Sequence, residues 1–385
     1  MYPLYAFGSM IRDTVRMDTH YKALQQVIRP GDVVLDIGAG TGIFSFIACQ
    51  LGARHVYAVE PNVLIELGKP MSAANGFSDR ITFIRDFTTN IDLPEKADVL
   101  VGDLRGQLPL MDVLITSFYD AKQRLLKPDA RIIPFRDRLY VTLLDNAPLY
   151  ENQVLSPWVT NPYNVDMRAA LPFIVNTRSN HTDSIAPEQV ALPAQLWTEI
   201  IYGESHDPCI HKTLEWTVEQ PRTIHFVHIW FDADLTPDIG FSNAPGANRA
   251  HVYGSISLPL AQSIDLALGE RVVLTLDADL VGLGYIYRWL TRVYAADETE
   301  KPRVELMQST LFAEPITGLI KRGTNYKPRL GKTGKVNAFI FEQMETGDVV
   351  LAQIAAHTLE KFPDYFQDYD AALAHVANLS QQYSE

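Results

Sequence analysis

Short apolar runs alternate with amphipathic stretches of helical period along the first third of the chain. Each run has the length of a buried strand and is bounded by glycine-rich or polar turns. The pattern predicts five strands, at residues 33–37, 55–59, 81–84, 99–102 and 131–135. Strands that alternate with helices are typical of a doubly wound α/β domain with a parallel sheet.

The pattern changes after Val141 to many short β runs rich in aromatic residues, and residues 226–232 alternate like a barrel strand. Beyond a stretch rich in Lys, Arg and Gly at 318–335, apolar residues return at helical spacing within 351–362 and 373–379. We therefore predict three parts. They are an α/β domain at residues 1–142, a β-barrel-like domain at 143–300 and a small helical extension at 301–385.

Composition narrows the class of protein. The chain has 385 residues, is 47% hydrophobic and carries a net charge of −13, so non-specific binding to nucleic acid is not expected. Its two cysteines, Cys49 and Cys209, predict neither a disulfide framework nor a metal site. The sequence contains no apolar run of 18 residues, and we expect no signal peptide. We expect a cytoplasmic protein without a membrane partner.

A glycine-rich turn follows the first predicted strand. Gly38, Gly40 and Gly42 let the backbone turn tightly and approach a ligand where a Cβ would collide. A dinucleotide site has the spacing Gly-x-Gly-x-x-Gly, whereas the spacing here is Gly-x-Gly-x-Gly. Asp36 just before the turn repels phosphate and suits a cationic ligand with an amino group, as in S-adenosylmethionine (SAM). Glu60 ends the next strand, where it can accept hydrogen bonds from ribose hydroxyls.

This stretch resembles motif I of the class I SAM-dependent methyltransferases. Upstream, residues 10–21 look like the N-terminal helix of the protein arginine methyltransferase family. The resemblance implies that Met10 packs against SAM and that Arg16 binds its carboxylate. It also implies that Asp86, just beyond the third strand, holds the adenine amino group. A solvated loop acid is the alternative for Asp86.

Residues 102–112 are similar to the family's hairpin loop, in which two glutamates nine residues apart clamp the substrate guanidinium. Asp103 and Asp112 have that spacing. Each aspartate reaches about 1.5 Å less than a glutamate, so the site is wider or the loop lies further inward. The family's Trp and Tyr in this loop are absent. The two acids are therefore predicted to orient a nitrogen nucleophile, which need not be an arginine.

A second loop, which ends at His251, is similar to the family's Thr-His-Trp loop. Its flanking residues differ, since Ala250 and Val252 replace the Thr and the Trp. In the family this His pairs with a carboxylate of the first domain. The resemblance implies that His251 orients Asp103 or Asp112, or relays a proton.

Residues 155–190 resemble the helical arm through which relatives dimerise, and their apolar side chains need a partner surface. We therefore expect a homodimer. The C-terminal extension is weakly similar to the winged-helix domains that bind leader peptides of ribosomally made, modified peptides. The alternative is a helical bracket that covers the barrel.

These observations predict a SAM-dependent N-methyltransferase with SAM as its cofactor. Its acceptor is a side-chain nitrogen of a protein or peptide, and the arginine guanidinium is the first expectation. An amide or another amine remains open. Two other functions also stay open, a methyltransferase for a small natural product and a SAM-binding scaffold without catalysis.

Overall fold

The structure is a computed structural model. It describes the chain except residues 1–2, 111, 182–184, 206, 249–251, 282–283, 298–299, 314–320, 322–325 and 385. The side chains of residues 112–114 and 181 are not described either. The chain divides into two compact units, residues 1–314 and 315–385. Within the described ranges, no helix is both long enough and apolar enough to cross a membrane.

The first unit opens with a five-stranded parallel sheet and its helices. The helices are α1 (Leu4–Arg12), α2 (Thr14–Val27), α3 (Ile43–Gln50), α4 (Gly68–Ala74) and α5 (Asp112–Arg124). The strands are β1 (Val33–Ile37), β2 (His55–Val59), β3 (Ile81–Ile84), β4 (Ala97–Gly102) and β5 (Leu126–Ile133). All five predicted strands are present, and the predicted α/β fold is confirmed.

The order of this sheet positions the site. The strand order is β3-β2-β1-β4-β5. The chain passes from β1 to β2 and β3 on one side of the sheet, and β4 and β5 lie on the other side of β1, so the strand order reverses between β1 and β4. Ile37 at the end of β1 pairs with Gly102 at the end of β4. The glycine turn and the loop at residues 102–112, here called the acid loop because it carries Asp103 and Asp112, therefore start side by side. They lie at the point where ligands bind in open α/β sheets.

β5 begins earlier than predicted. The sequence around Lys127 and Pro128 is typical of a turn, yet the strand starts at Leu126. The reason is a break in the register with β4, since Ala97 pairs with Leu126 and Val99 pairs with Arg131. Residues 127–130 form the irregular part of the strand.

Two antiparallel sheets follow and form the barrel-like part of the first unit. One sheet has the order β7-β12-β10-β6-β8, with β11 paired to β10, and the other has the order β15-β14-β13-β9. Their strands are β6 (Arg136–Leu144), β7 (Ser179–His181), β8 (Gln195–Ile201), β9 (Ile210–Thr217), β10 (Arg222–Asp234), β11 (Gly240–Ser242), β12 (Ser255–Leu266), β13 (Arg271–Val281), β14 (Gly284–Tyr294) and β15 (Val304–Ser309). The second sheet thus continues past residue 300, where the sequence placed the start of the extension.

The parallel sheet and the barrel share one hydrophobic core. Phe118 of α5 packs against Tyr202, just after β8, with ring centroids 4.9 Å apart. The region predicted as an arm holds the short helix α7 (Leu171–Ile174) and a preceding turn of 3₁₀ helix, Arg168–Ala170. α6 (Ala147–Tyr150) lies before this region.

The second unit has its own small core. Its described part consists of three helices, α8 (Lys332–Glu345), α9 (Leu351–Lys361) and α10 (Tyr369–Tyr383). Val336 and Ile340 of α8 pack with Ile354 of α9 and Val376 of α10. The sequence placed Lys332 and Lys335 in a basic loop, but they are the first and the fourth residue of α8. The winged-helix interpretation of this unit stays a prediction.

Candidate cofactor and acceptor site

The glycine turn has the backbone geometry that its sequence predicts. Gly38, Gly40 and Gly42 have φ angles of +68°, +57° and +94°. A Cβ at Gly38 would lie 2.0 Å from Leu104 of the acid loop, and one at Gly40 would lie 2.5 Å from Phe7 of α1. A side chain at either position would therefore be strained and would also collide with its neighbours.

Glu60 closes this turn from the tip of β2. Its Oε2 accepts a hydrogen bond from the Gly40 amide over 3.1 Å, and its Oε1 accepts one from the Asn62 amide over 2.9 Å. The carboxylate is only partly buried. It thus lies beside the turn, at the edge where the sequence predicts recognition of a ribose.

Asp36 carries an unused buried acceptor. Ser45 of α3 donates to Asp36 Oδ2 over 2.7 Å, while Oδ1 is buried and accepts no hydrogen bond from any described group. Burial raises the pKa of Asp36 to about 7, against the hydrogen bonds from Ser45 that lower it. A buried carboxylate oxygen without a donor costs free energy, and a cationic ligand group relieves that cost. The arrangement fits the amino group of a SAM-like cofactor.

The start of α2 is fixed by Asp13. Its Oδ1 accepts from the Arg16 amide over 3.2 Å and caps the helix, while its Oδ2 accepts from the Val252 amide over 2.8 Å. One carboxylate thus joins the N-terminal helix to the loop that precedes β12.

Arg16 lies at the centre of the site. Its Nε donates to Asp103 Oδ2 over 2.6 Å, and its Nη1 donates to the carbonyl oxygen of Met10 over 3.1 Å. The guanidinium carbon lies 5.1 Å from the centroid of the Phe44 ring, near the start of α3. Met10 and Arg16, two of the residues predicted to hold the cofactor, are therefore in contact.

Asp103 is buried among donors, with a side-chain exposure of 3%. Besides Arg16, its Oδ2 accepts from the Tyr253 hydroxyl, and its Oδ1 accepts from Arg105 Nη1 over 3.1 Å. Burial alone would raise the pKa of Asp103. The charges of Arg16, His20 and Arg105, with the hydrogen bond from Tyr253, hold that pKa well below its ordinary value.

Arg105 anchors the acid loop to the barrel. Its Nε and Nη2 donate to the two oxygens of Asp137 on β6 over 2.7 and 2.8 Å, and both side chains are almost completely buried. Tyr202 adds a third hydrogen bond to Asp137, over 2.5 Å. A two-point contact of this kind fixes the orientation of the guanidinium as well as its charge.

His20 faces the same cluster from α2. Its Nδ1 lies 2.8 Å from the Arg16 carbonyl oxygen, which can only accept, so Nδ1 carries the proton. Nε2 lies 3.9 Å from Asp103 Oδ2 and receives no hydrogen bond within the described part of the chain. Burial lowers the pKa of His20 to about 4, so the ring is neutral at pH 7.

The remaining predicted residues stand apart from this cluster or outside the described set. Asp86 follows β3 and makes local hydrogen bonds, accepting from the Phe87 amide over 2.7 Å and from the Asn90 side chain over 2.9 Å. Asp112 is the first residue of α5, and its side chain is not described. His251 lies outside the described residues, so its pairing with a carboxylate stays a prediction.

Six residues of this buried network were not predicted from the sequence. They are Asp13, His20, Arg105, Asp137, Tyr202 and Tyr253. Only Arg105 could have been expected from the sequence, because a charged residue in a loop between buried elements must be paired with an opposite charge. The partners of the others lie up to 239 positions away in the chain, as between Asp13 and Val252, so these contacts become visible only in the fold.

Comparisons with known proteins match this chain to methyltransferases. The family model described as ribosomal protein L11 methyltransferase (PrmA) matches residues 1–134. The probable histone-arginine methyltransferase 1.4 of Arabidopsis thaliana is 30% identical over 285 residues, which are 69% of this chain and 52% of the relative. Protein arginine N-methyltransferase 1.1 of the same plant is 27% identical over 280 residues, 69% of each chain. The chain spans about half the length of the first curated relatives it matches.

Solved structures show the same fold. Protein arginine methyltransferase 10 of Arabidopsis thaliana matches with a TM-score of 0.68 and 21% identity, over 80% of this chain and 98% of that one. The Trypanosoma brucei PRMT1 enzyme-prozyme complex with AdoHcy matches with a TM-score of 0.67 and 19% identity, over 79% and 97%. By sequence and by fold, the chain is similar to the protein arginine methyltransferases, which confirms the predicted resemblance.

Proposed function

We propose that this chain is a SAM-dependent methyltransferase that acts on a side-chain nitrogen of a protein or peptide. The observation that carries the proposal is the juxtaposition of the glycine turn and the acid loop at the carboxyl ends of β1 and β4. A cofactor at the turn and an acceptor at the loop would then be neighbours. The similarity to protein arginine methyltransferases in both sequence and fold supports this assignment.

The cofactor side of the site would be held by residues around the turn. Asp36 would offer its free buried oxygen to the ammonium group, and Glu60 would accept hydrogen bonds from the ribose hydroxyls. Met10 and Arg16 would cover and bind the amino-acid end. Asp86 is proposed for the adenine amino group. When bound, SAM supplies a methyl group that a nitrogen lone pair can take as the carbon–sulfur bond breaks with its electron pair left on sulfur.

The acceptor side would be built by Asp103 and Asp112, with His251 beside them. Together they would align a nitrogen lone pair with the methyl group. The proton that the nitrogen releases would pass to Asp112 or His251, because the donors around Asp103 hold its pKa well below the ordinary value. Arginine is the acceptor to test first because the relatives are named for it. Amide and amine nitrogens are tested beside it.

Two measurements test the proposal. Calorimetry with S-adenosylhomocysteine should show binding at a single site. Incubation with SAM and peptides encoded beside the gene, followed by mass spectrometry, should show a gain of one methyl mass on a side chain. Binding without transfer to any peptide or small molecule would replace this proposal with the scaffold function. Transfer to small molecules alone would favour the natural-product function.

We also propose that the chain acts as a homodimer. Apolar side chains of the predicted arm are exposed, among them Tyr163, Val165 and Phe173. Exposed aromatic and apolar groups within one short segment favour a protein partner. A second copy of the chain is that partner in this proposal.

A further inference from the structure

The acid loop contains a guanidinium of its own. Arg105 lies two residues after Asp103, and its side chain is 1% exposed. It donates once to Asp103 and twice to Asp137. A planar guanidinium that bridges two carboxylates is the arrangement expected of an arginine acceptor held by a pair of acids. Here the chain itself supplies that arginine.

Asp103 has little capacity left for another donor. A carboxylate has about four lone-pair positions, and Arg16, Tyr253 and Arg105 occupy three of them. Its 3% exposure leaves almost no open approach. An acceptor guanidinium would have to displace Arg105 or Arg16 to bond with this carboxylate.

The charges of the four side chains that form ion pairs here are already balanced, whereas Asp13 accepts from backbone amides and stands outside these pairs. Over the four described side chains, Asp103 and Asp137 carry two negative charges, and Arg16 and Arg105 carry two positive ones. A third guanidinium beside them would face two like charges in a buried region, where repulsion is weakly screened. A neutral group would meet no such repulsion.

We propose that Arg105 is a specificity-determining residue that excludes arginine from the acceptor site and leaves it to an uncharged side-chain nitrogen. The inference rests on the proposed function, because it concerns which nitrogen receives the methyl group. The acceptor nitrogen forms the new N–C bond with its lone pair, the C–S bond breaks with its pair left on sulfur, and the nitrogen releases one proton to a carboxylate or to water.

A paired substitution tests the role of Arg105. Arg105→Met together with Asp137→Asn removes the internal guanidinium along with its main counter-charge, so neither is left buried without its partner. The matched control is Arg292→Met with Glu305→Gln, which removes an arginine–carboxylate pair on β14 and β15, away from the site. Thermal unfolding shows whether each protein is folded.

The readout is binding of N-acetylarginine amide to each protein saturated with S-adenosylhomocysteine, measured by calorimetry. The paired variant should bind this probe about 10- to 100-fold more tightly than the wild type, the range of one charge-assisted contact. The control should match the wild type. Equal binding by the wild type and the folded paired variant would overturn the inference.

A second measurement stands whether or not the paired variant folds. Wild-type protein is incubated with SAM and peptides that differ only in carrying arginine, glutamine or histidine at one position, and the products are mapped by mass spectrometry at pH 8. Methylation of glutamine or histidine but not arginine supports the inference, and methylarginine overturns it. Failure of the proposed function itself would show differently, as no methyl transfer to any peptide while the difference in probe binding persists.

Discussion

Arg16 and Asp103 are bonded to each other, with 2.6 Å between Nε and Oδ2. The first residue was predicted to hold the cofactor and the second to hold the acceptor. Their contact makes the two halves of the site one buried ion-pair network. Substitutions on one side will therefore affect the other side as well.

Asp103→Asn should destabilise the fold as well as impair transfer. The amide cannot balance Arg16 and Arg105, and removal of one partner from a buried pair costs about 3–5 kcal/mol. Urea unfolding measures this loss. The control is Asp86→Asn, which changes a local, partly exposed carboxylate and should cost less than about 1 kcal/mol. If Asp103→Asn unfolds with the same free energy as the wild type, the ion-pair network is contradicted. A loss of activity in this variant is interpreted together with its free energy of unfolding, because a destabilised protein also loses activity.

Gly40→Ala should abolish cofactor binding. An alanine there takes a positive φ, which costs about 1–2 kcal/mol, and its Cβ meets Phe7. The control is Gly76→Ala, because Gly76 also has a positive φ, of +73°, but nothing lies within 4 Å of its Cβ. Both variants carry the backbone strain, and only Gly40→Ala should lose affinity for S-adenosylhomocysteine in calorimetry. Equal affinities in the two variants would show that the turn does not contact the ligand.

Asp36→Asn should remove a pH dependence of stability. The pKa of Asp36 is about 7 in the folded chain, against an ordinary value of 3.8 that applies to the unfolded chain. Between these two pH values the folded chain holds a proton that the unfolded chain has released. Stability from this group is complete below about pH 4 and is lost as the pH rises to about 7. The wild-type free energy of unfolding, minus that of Asp36→Asn, should fall by about 1.4 kcal/mol per pH unit inside this window. Urea unfolding from pH 4 to 8 measures the difference, and a flat difference would contradict it.

Phe173→Ser should weaken self-association. Phe173 in α7 is 58% exposed, and the arm is proposed to bury it against a second copy. Leu268→Ser is the control, since Leu268 is 65% exposed in the turn between β12 and β13, outside the arm. Sedimentation at micromolar concentration should show a dimer for the wild type and the control, and more monomer for Phe173→Ser. A monomeric wild type would rule out the dimer under these conditions.

The strands of the first domain could be predicted because a short run of consecutive apolar residues marks each buried strand in the local sequence. β1 is buried at all five positions, and its apolar run is visible without any partner. The start of β5 could not be predicted in the same way. Its first residues contain Lys127 and Pro128, and only the irregular pairing with β4 keeps them in the strand.

The site was predictable only in part, for a similar reason. Asp36, Glu60 and Arg16 stand in local patterns that have a recognisable spacing. The contacts that decide the chemistry join distant positions, as between Tyr253 and Asp103, 150 residues apart. No local pattern encodes such a distance, because the topology of the barrel sets it. For this reason the hydrogen bond from Arg105 to Asp103, in place of one from a bound acceptor, could not be predicted.

The pair formed by Arg105 and Asp137 also constrains how this protein can evolve. The two residues are 32 positions apart, so separate mutations must change them. Loss of either one first leaves the other charged and buried, and such an intermediate is poorly stable. Selection against unstable intermediates would then conserve the acceptor preference of a lineage even where the chemistry tolerates a change. In this protein, the barrier between two substrates would be set by folding as much as by catalysis.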